Sequence, residues 1–334
     1  MVKKILLFFI IFAVLGFIGY QFLIKNKIQI SNLPIKIAYN YWPSVFWIEI
    51  AGEKGWFEEA GLNVELVDYN KNWYQSNSDL IEGKIDAAGL YMFDVVIAEE
   101  KGADLAVVLN AGVSFGSDIL VARNGIKTIN DLKGKKIGVM AGSSYEYELS
   151  VALEKGNLKL SDIEKVEING EKAVEAISNN IVDAIMSWDP YASDAINQLS
   201  ATRLFDTSEV PGLMPDVFVL KKSFIDNRLN DVQALTEVWY RTTEFIKNKP
   251  DEAFGVIAKK YGYTLEEVKD FSQIDKIYDL DNNLKSFAYS SDRLSSLHGN
   301  IKDINNYLIN QGIFPGKVDS TRILDPRFIR KLNK

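Results

Sequence analysis

Asp79-Leu80-Ile81-Glu82-Gly83-Lys84-Ile85-Asp86-Ala87-Ala88-Gly89-Leu90-Tyr91 and Ala176-Ile177-Ser178-Asn179-Asn180-Ile181-Val182-Asp183-Ala184-Ile185-Met186-Ser187-Trp188-Asp189-Pro190-Tyr191 are two copies of one pattern. In each, a short helix ends in a turn, an Asp-Ala pair follows, and an apolar strand delivers aromatic and polar residues. Two equivalent α/β units of this kind predict two lobes facing one another across a cleft. Ligands of open α/β sheets sit at the carboxyl ends of the strands. The pattern therefore assigns Asp86 and Asp183 to organising strand entry. The strand exits, Leu90-Tyr91 and Trp188-Asp189, face the cleft.

Strands and helices alternate on either side of these units. Ile35–Tyr39 reads as a strand by its alternation, Ser44 is placed to cap a helix running to Ala60, and Gly61 to end it. Leu62–Val67, Leu105–Leu109 and Asp118–Arg123 read as further strands. A second unit follows, with strands at 136–140, 165–168 and 182–187 and helices at 145–155, 171–178 and 190–198. This alternation predicts parallel sheet with crossover helices. Asp216–Leu220 reads as a strand returning to the first lobe, and beyond Ser223 the pattern becomes helical. The expected fold class is α/β, with lobe 1 formed by 33–123 plus 216–334 and lobe 2 by 124–215.

A length of 334 residues suits two domains at ~150 residues each, and 47% hydrophobic residues supply a core. Cysteine is absent, which excludes disulfides, thiolate chemistry and a lipid-modified cysteine. A single histidine, His298, argues against a catalytic triad or a multi-histidine metal site. The expectation is a binding protein without metal or cofactor. Residues 1–27 hold an uncharged apolar run, Ile5 to Ile24, between Lys3-Lys4 and Lys25. Twenty such residues suffice to span a bilayer, whereas the apolar part of a signal peptide is usually shorter, ~7–15 residues. The segment reads as a signal peptide or, preferably, an uncleaved anchor, and both readings put the remainder outside the cytoplasm. Four lysines and no acids in 1–27 leave −11 on the rest of a chain whose net charge is −7. That balance disfavours nucleic acid as a partner, and a monomer is expected.

Several segments could carry binding. Tyr39-Asn40-Tyr41-Trp42-Pro43 sets aromatic rings and an amide where the first strand meets its helix, suited to a planar or cationic ligand. A rigid turn with its aromatics in the core is the structural alternative. Ala141-Gly142-Ser143-Ser144-Tyr145-Glu146 leads a strand into a helix, whose free amides attract anions. Ser143 with Glu146 is equally a capping-box pattern that satisfies those amides internally. Asp189 and Pro190 suit a helix start, while Trp188 at a strand terminus suits a cleft. Gly116-Ser117-Asp118 and Pro215-Asp216 precede the crossing strands, where a carboxylate can bind a ligand amine, neutralise a lysine or cap a turn. Gly134-Lys135-Lys136 lacks the spacing of a phosphate loop.

These segments together resemble the solute-binding component of ABC importers for nitrate, taurine, aliphatic sulfonates and thiamine-precursor pyrimidines. The carrying residues are Tyr41-Trp42-Pro43-Ser44, Ala51 to Glu65, Gly83-Lys84-Ile85-Asp86-Ala87, Asp131 to Gly138 with Gly142-Ser143, and Val182-Asp183-Ala184 with Trp188-Asp189-Pro190-Tyr191. The resemblance runs from about Ile35 to Phe328. It implies a type II periplasmic binding fold and cleft contacts from Tyr39, Asn40, Tyr41, Trp42, Leu90, Tyr91, Ser117, Ser143, Ser144, Trp188, Asp189 and Asp216. It further implies a permease and ATPase as partners, a site in the periplasm or on the outer face of the membrane, and a sulfonate-like or aminopyrimidine-like solute. Leu90-Tyr91-Met92 departs from the family, several of whose members carry proline after the Gly89 position. An anchored sensor and a vitamin-precursor enzyme are the alternatives on the same fold.

Overall fold

The computed structural model describes residues 33–333. The apolar run at 5–24 lies outside them, and among the described residues no helix is long and apolar enough to cross a membrane. The chain forms two sheets. The first contains β1 (Ile35–Tyr39), β2 (Val64–Asp68), β3 (Ala87–Tyr91), β4 (Leu105–Ser114), β10 (Pro215–Lys221) and β11 (Asp275–Ile277), ordered β11-β4-β10-β3-β1-β2. The second contains β5 (Asp118–Ala122), β6 (Lys136–Val139), β7 (Glu164–Glu167), β8 (Ala184–Trp188) and β9 (Thr202–Asp206), ordered β7-β6-β8-β5-β9.

The twin units occupy the same place in each sheet, and the same bonds put them there. Helix Gln75–Glu82 ends on Gly83 at φ 76°, and the Lys84 N–H returns to the Asp79 carbonyl at 2.8 Å. Beyond helix Ala173–Ser178, Asn180 adopts φ 54° and the Ile181 N–H returns to Ala176 at 2.9 Å. Left-handed residues of this kind close the end of a helix and turn the chain. Three residues later comes the aspartate. Asp86 exchanges two bonds with the start of β1: its Oδ2 accepts from the Lys36 N–H at 2.8 Å and its own N–H donates to the Lys36 carbonyl at 2.8 Å. Asp183 does the same to Lys136 of β6, at 2.9 and 2.7 Å. In register, Ala87 then pairs with Ile37 and Ala184 with Ile137.

The sheets are mixed rather than parallel. β2-β1-β3 and β7-β6-β8 are parallel, but β10 runs against β3 and β4, and β5 against β8 and β9. The reason lies in the connections. β5 and β10 arrive from the opposite lobe, so they enter at the cleft edge, where the parallel strands finish. They can only run the other way. β9 and β11 have no strong alternation, and the sequence reading missed both. Ser44 does not cap a long helix: Pro43–Val45 is a 3-10 turn, helix Phe46–Glu53 follows, and Gly55 at φ 70° separates it from Trp56–Glu59.

Helices cover both faces of the lobe 1 sheet, and the carboxyl-terminal ones also complete its edge. Asn283, wholly buried in helix Leu280–Ser286, bonds both backbone groups of Asn110 in β4, each at 2.8 Å. Its amide stands in for a strand neighbour. Asn283→Ala is expected to lower stability by about 2–4 kcal/mol by leaving two buried backbone groups unpaired, read as a fall in denaturant midpoint without a change in slope.

Candidate functional site

A cavity of about 720 Å³ lies between the sheets at the carboxyl ends of their parallel strands. Lobe 1 supplies Asn40, Tyr41 and Trp42 after β1, Asn70 to Tyr74 after β2, Leu90 and Tyr91 from β3, Asp216 at the start of β10, and Phe271. Lobe 2 supplies Tyr145, Asn169, Glu171, Trp188, Asp189 and Tyr191. Helix Ser144–Glu154 rests on lobe 1: the Tyr147 ring stacks on Phe93 with centroids 5.7 Å apart, and its hydroxyl donates to Asp303 at 2.6 Å.

Aromatic rings form the walls. Trp188 stacks on Tyr145 (4.7 Å, 19°) and meets the edge of Tyr191 (5.8 Å, 85°). Opposite, Tyr41 stacks on Phe271 (4.8 Å, 8°), which Trp42 meets edge-on at 5.7 Å. Burial pushes the Tyr41 phenol up to about 12, so it stays a neutral donor. The Trp42 Nε1–H has no acceptor within the protein. A β-carbon added at Gly170 would lie 2.6 Å from the Trp188 ring. Only glycine leaves room for that indole to sit as it does.

Of the twelve residues expected at the cleft, eight line it: Asn40, Tyr41, Trp42, Leu90, Tyr91, Trp188, Asp189 and Asp216. Four are placed elsewhere. Tyr39 faces outward, with Lys260 Nζ 4.2 Å above its ring. Ser117 is wholly buried in the first crossing, bonded to Ser114 at 2.6 Å. Ser143 turns its hydroxyl back to the Met140 carbonyl at 2.7 Å, and Ser144 is buried in the first helical turn. Two amides that lead into this helix meet the protein's own carboxylates. The Gly142 N–H donates to Glu146 Oε2 at 2.8 Å and the Ala141 N–H to Glu167 Oε2 at 2.9 Å. The capping box differs from its expected form too, since Glu146 reaches Gly142 rather than Ser143 and also pairs with Lys165.

Beneath the rings lie carboxyls. Asp118 Oδ2 takes bonds from Ser114 and Ser117, yet burial raises its pKa to about 7. Asp216 is raised well above the carboxylate range by burial, then by the charges of Asp275 and Asp118. Asp275 of β11 accepts from the Ser44 N–H at 2.9 Å and is raised by burial as well. Among the lining residues Lys71 is the cation. Tyr145 stood beside the quoted Ser143-Ser144 pair without being chosen. Phe271 and Asp275 carry no local signal, because they lie in a stretch whose pattern is helical.

Two lobes with antiparallel exchange strands and a cleft at the strand ends define the type II periplasmic binding fold. A family model described as NMT1/THI5 like matches residues 42–253, and the chain belongs to that family. A Bacillus subtilis protein named for binding aliphatic sulfonates is 27% identical over 235 residues, covering 67% of this chain and 68% of its own. The 4-amino-5-hydroxymethyl-2-methylpyrimidine phosphate synthase of Schizosaccharomyces pombe is 24% identical over 282 residues, or 80% and 78%. The crystal structure of the periplasmic aliphatic sulphonate binding protein SsuA from Escherichia coli superposes with a TM-score of 0.69 at 20% identity, over 88% of this chain and 92% of that one.

Two outcomes follow from the geometry. Gly170→Ala is expected to cost about 1–3 kcal/mol through overpacking and to displace Trp188, seen as a changed tryptophan emission maximum. The Asp118 carboxyl binds its proton more tightly folded than unfolded. Its contribution to stability is therefore complete below about pH 4 and is lost as pH rises through about 7. The thermal midpoint of the ligand-free protein should fall over that interval, and Asp118→Asn should flatten the fall. Equal slopes in both proteins would remove Asp118 from the account.

Proposed function

We propose that this chain is the solute-binding component of an ABC importer, working as a monomer outside the cytoplasm and handing its solute to a permease and ATPase. In this reading one lobe is 33–117 with 216–334 and the other 118–215, the expected boundary after 123 being moved so that β5 (Asp118–Ala122) stays with the second sheet in which it pairs. The observation that carries it is a cleft at the strand ends of both lobes, walled by rings from each. Ligand contact is assigned to Asn40, Tyr41, Trp42, Leu90, Tyr91, Trp188, Asp189 and Asp216. A solute gripped from both sides shifts the protein toward its closed form, because only that form makes both sets of contacts. The names of the sulfonate-binding relatives and the periplasmic location in the SsuA description support this role.

Of the two solute classes expected, a ring bearing an amine is favoured over a sulfonate. Stacked rings suit a planar body, and the acids around the floor suit a nitrogen donor. A sulfonate would find the amides of Ala141 and Gly142 already engaged. Turnover of the bound solute is a second reading, supported by the name of the fission-yeast relative.

Native mass spectrometry of the protein purified from its own cells tests the first reading. A small organic molecule should accompany the wild type. Trp188→Ala and Tyr91→Ala should weaken it by roughly thirtyfold or more without loss of the circular-dichroism signal of the fold. Retention of the solute at wild-type affinity by both variants would refute the cleft assignment, and a product forming from it on incubation would favour turnover.

A further inference from the structure

At the floor of the cleft four carboxyls meet, two from each lobe. Asp216 of β10 lines the cavity, with Asp275 of β11 beside it. Asp118 of β5 and Glu148 of helix Ser144–Glu154 approach from the other lobe. Asp118, Glu148 and Asp275 are wholly buried, and Asp216 is 7% exposed. Neither carboxylate oxygen of Glu148 has a hydrogen-bond partner, nor has Oδ1 of Asp118. The charged groups acting on Glu148 are Asp118 and Asp216, both of its own sign.

The surroundings are hydroxyls and phenols rather than cations. The Ser44 N–H serves Asp275, Ser114 and Ser117 serve Asp118, and the phenols of Tyr91 and Tyr145 feel the charge of the group from the cavity side. Asp189 adds a further acid near Asp118, and the Tyr278 phenol lies near Asp275. Asp216 Oδ2 and Asp275 Oδ1 have no hydrogen-bond partner, and the two acids act on one another through like charge, which disfavours ionising both. Structure explains part of this group. Asp118 holds a crossing and Asp275 takes an amide. Glu148 bonds nothing, and an apolar side chain of its size would serve packing better.

We propose that this chamber is a cation-for-proton exchange subsite, in which a positively charged nitrogen group of the solute docks against Asp216, the carboxyl that lines the cavity, and displaces the proton it holds with the buried carboxyls behind it. The inference rests on the solute-binding reading above. No covalent bond of the solute changes: an acid O–H proton leaves to solvent, and the N–H groups donate to the carboxylate it leaves behind. Because the carboxyls belong to both lobes, one cation among them favours the closed form, and the lost proton makes affinity rise with pH.

Isothermal titration of the full chain with benzamidinium, its uncharged isostere benzamide, and benzenesulfonate tests this, from about pH 5.5 to about pH 8, in two buffers of different ionisation enthalpy. Benzamidinium should bind in preference to the other two, release a proton, and gain affinity by up to about tenfold per pH unit. Asp216→Asn should reduce affinity at least tenfold and abolish the release. Glu148→Gln, which leaves a buried amide of the same shape, should flatten the pH slope even if Asp216→Asn fails to fold. Benzamidinium binding without proton release, or no better than benzamide or benzenesulfonate, overturns the exchange and leaves the cleft reading standing. Failure of all three probes while a cellular solute co-purifies does the same. Failure of all three with no co-purifying solute overturns both.

Discussion

The buried hydroxyl of Ser114 ties together the two passages of the chain between the lobes. It meets Ser117 at 2.6 Å and Thr207 at 2.7 Å and bonds the Asp118 carboxylate, while the Gly116 N–H donates to Thr207 at 2.8 Å. One crossing runs from β4 to β5 and the other from β9 to β10. Where they pass each other, the backbone leaves both sheets and would carry unpaired polar groups into the interior. Short hydroxyl side chains satisfy those groups without bringing in charge. The arrangement fixes the cleft floor, because the residues at which the two crossings end, Asp118 and Asp216, must lie beside it.

The walls follow from a different device used twice. Asp86 and Asp183 each close the first rung of a central strand pair, and the register they set determines which residue emerges at the strand's far end. Five residues on from each aspartate stand Tyr91 and Trp188, both in the cavity wall. A strand slipped by one residue would turn those rings into the opposite face. The aspartates thus act on the ligand at a distance of one strand, through geometry alone. The framework is the same in both units and the exits differ: Leu90-Tyr91 on one side, Trp188-Asp189 on the other.

This explains which parts of the molecule the sequence disclosed. Helix-turn-Asp-Ala-strand units are local, so their pattern predicts the lobes, the parallel strands and the ring-bearing exits. The antiparallel strands β5 and β10 were visible as strands, but their direction depends on which lobe the chain arrives from, which no local pattern encodes. β9 and β11 were missed because short strands at a sheet edge need little alternation. Asp275 and Phe271 reach the cleft from more than 200 residues beyond Ser44 and Tyr41, the partners they meet there. Ser143 and Ser144 stay out of the cavity for a local reason: the Ser143 hydroxyl turns back to the Met140 carbonyl, and Ser144 is buried in the first helical turn.

An anion held in a cleft needs donors whose partners are weak enough to displace. Here the amides of Ala141 and Gly142, just ahead of the lobe 2 helix, meet two carboxylates, one of them paired with Lys165, and the cavity floor is acidic. A solute in this cavity would face Asp216 directly. Once such a carboxyl has lost its proton, Coulomb repulsion of an anion grows as water is excluded, so closing the lobes would oppose binding instead of completing it. For a positively charged or neutral amine the same closure works in favour of the complex. In the proposed reading, lobe geometry shared with sulfonate binders is compatible with a different solute, and the choice lies in which side chains occupy the crossing strands.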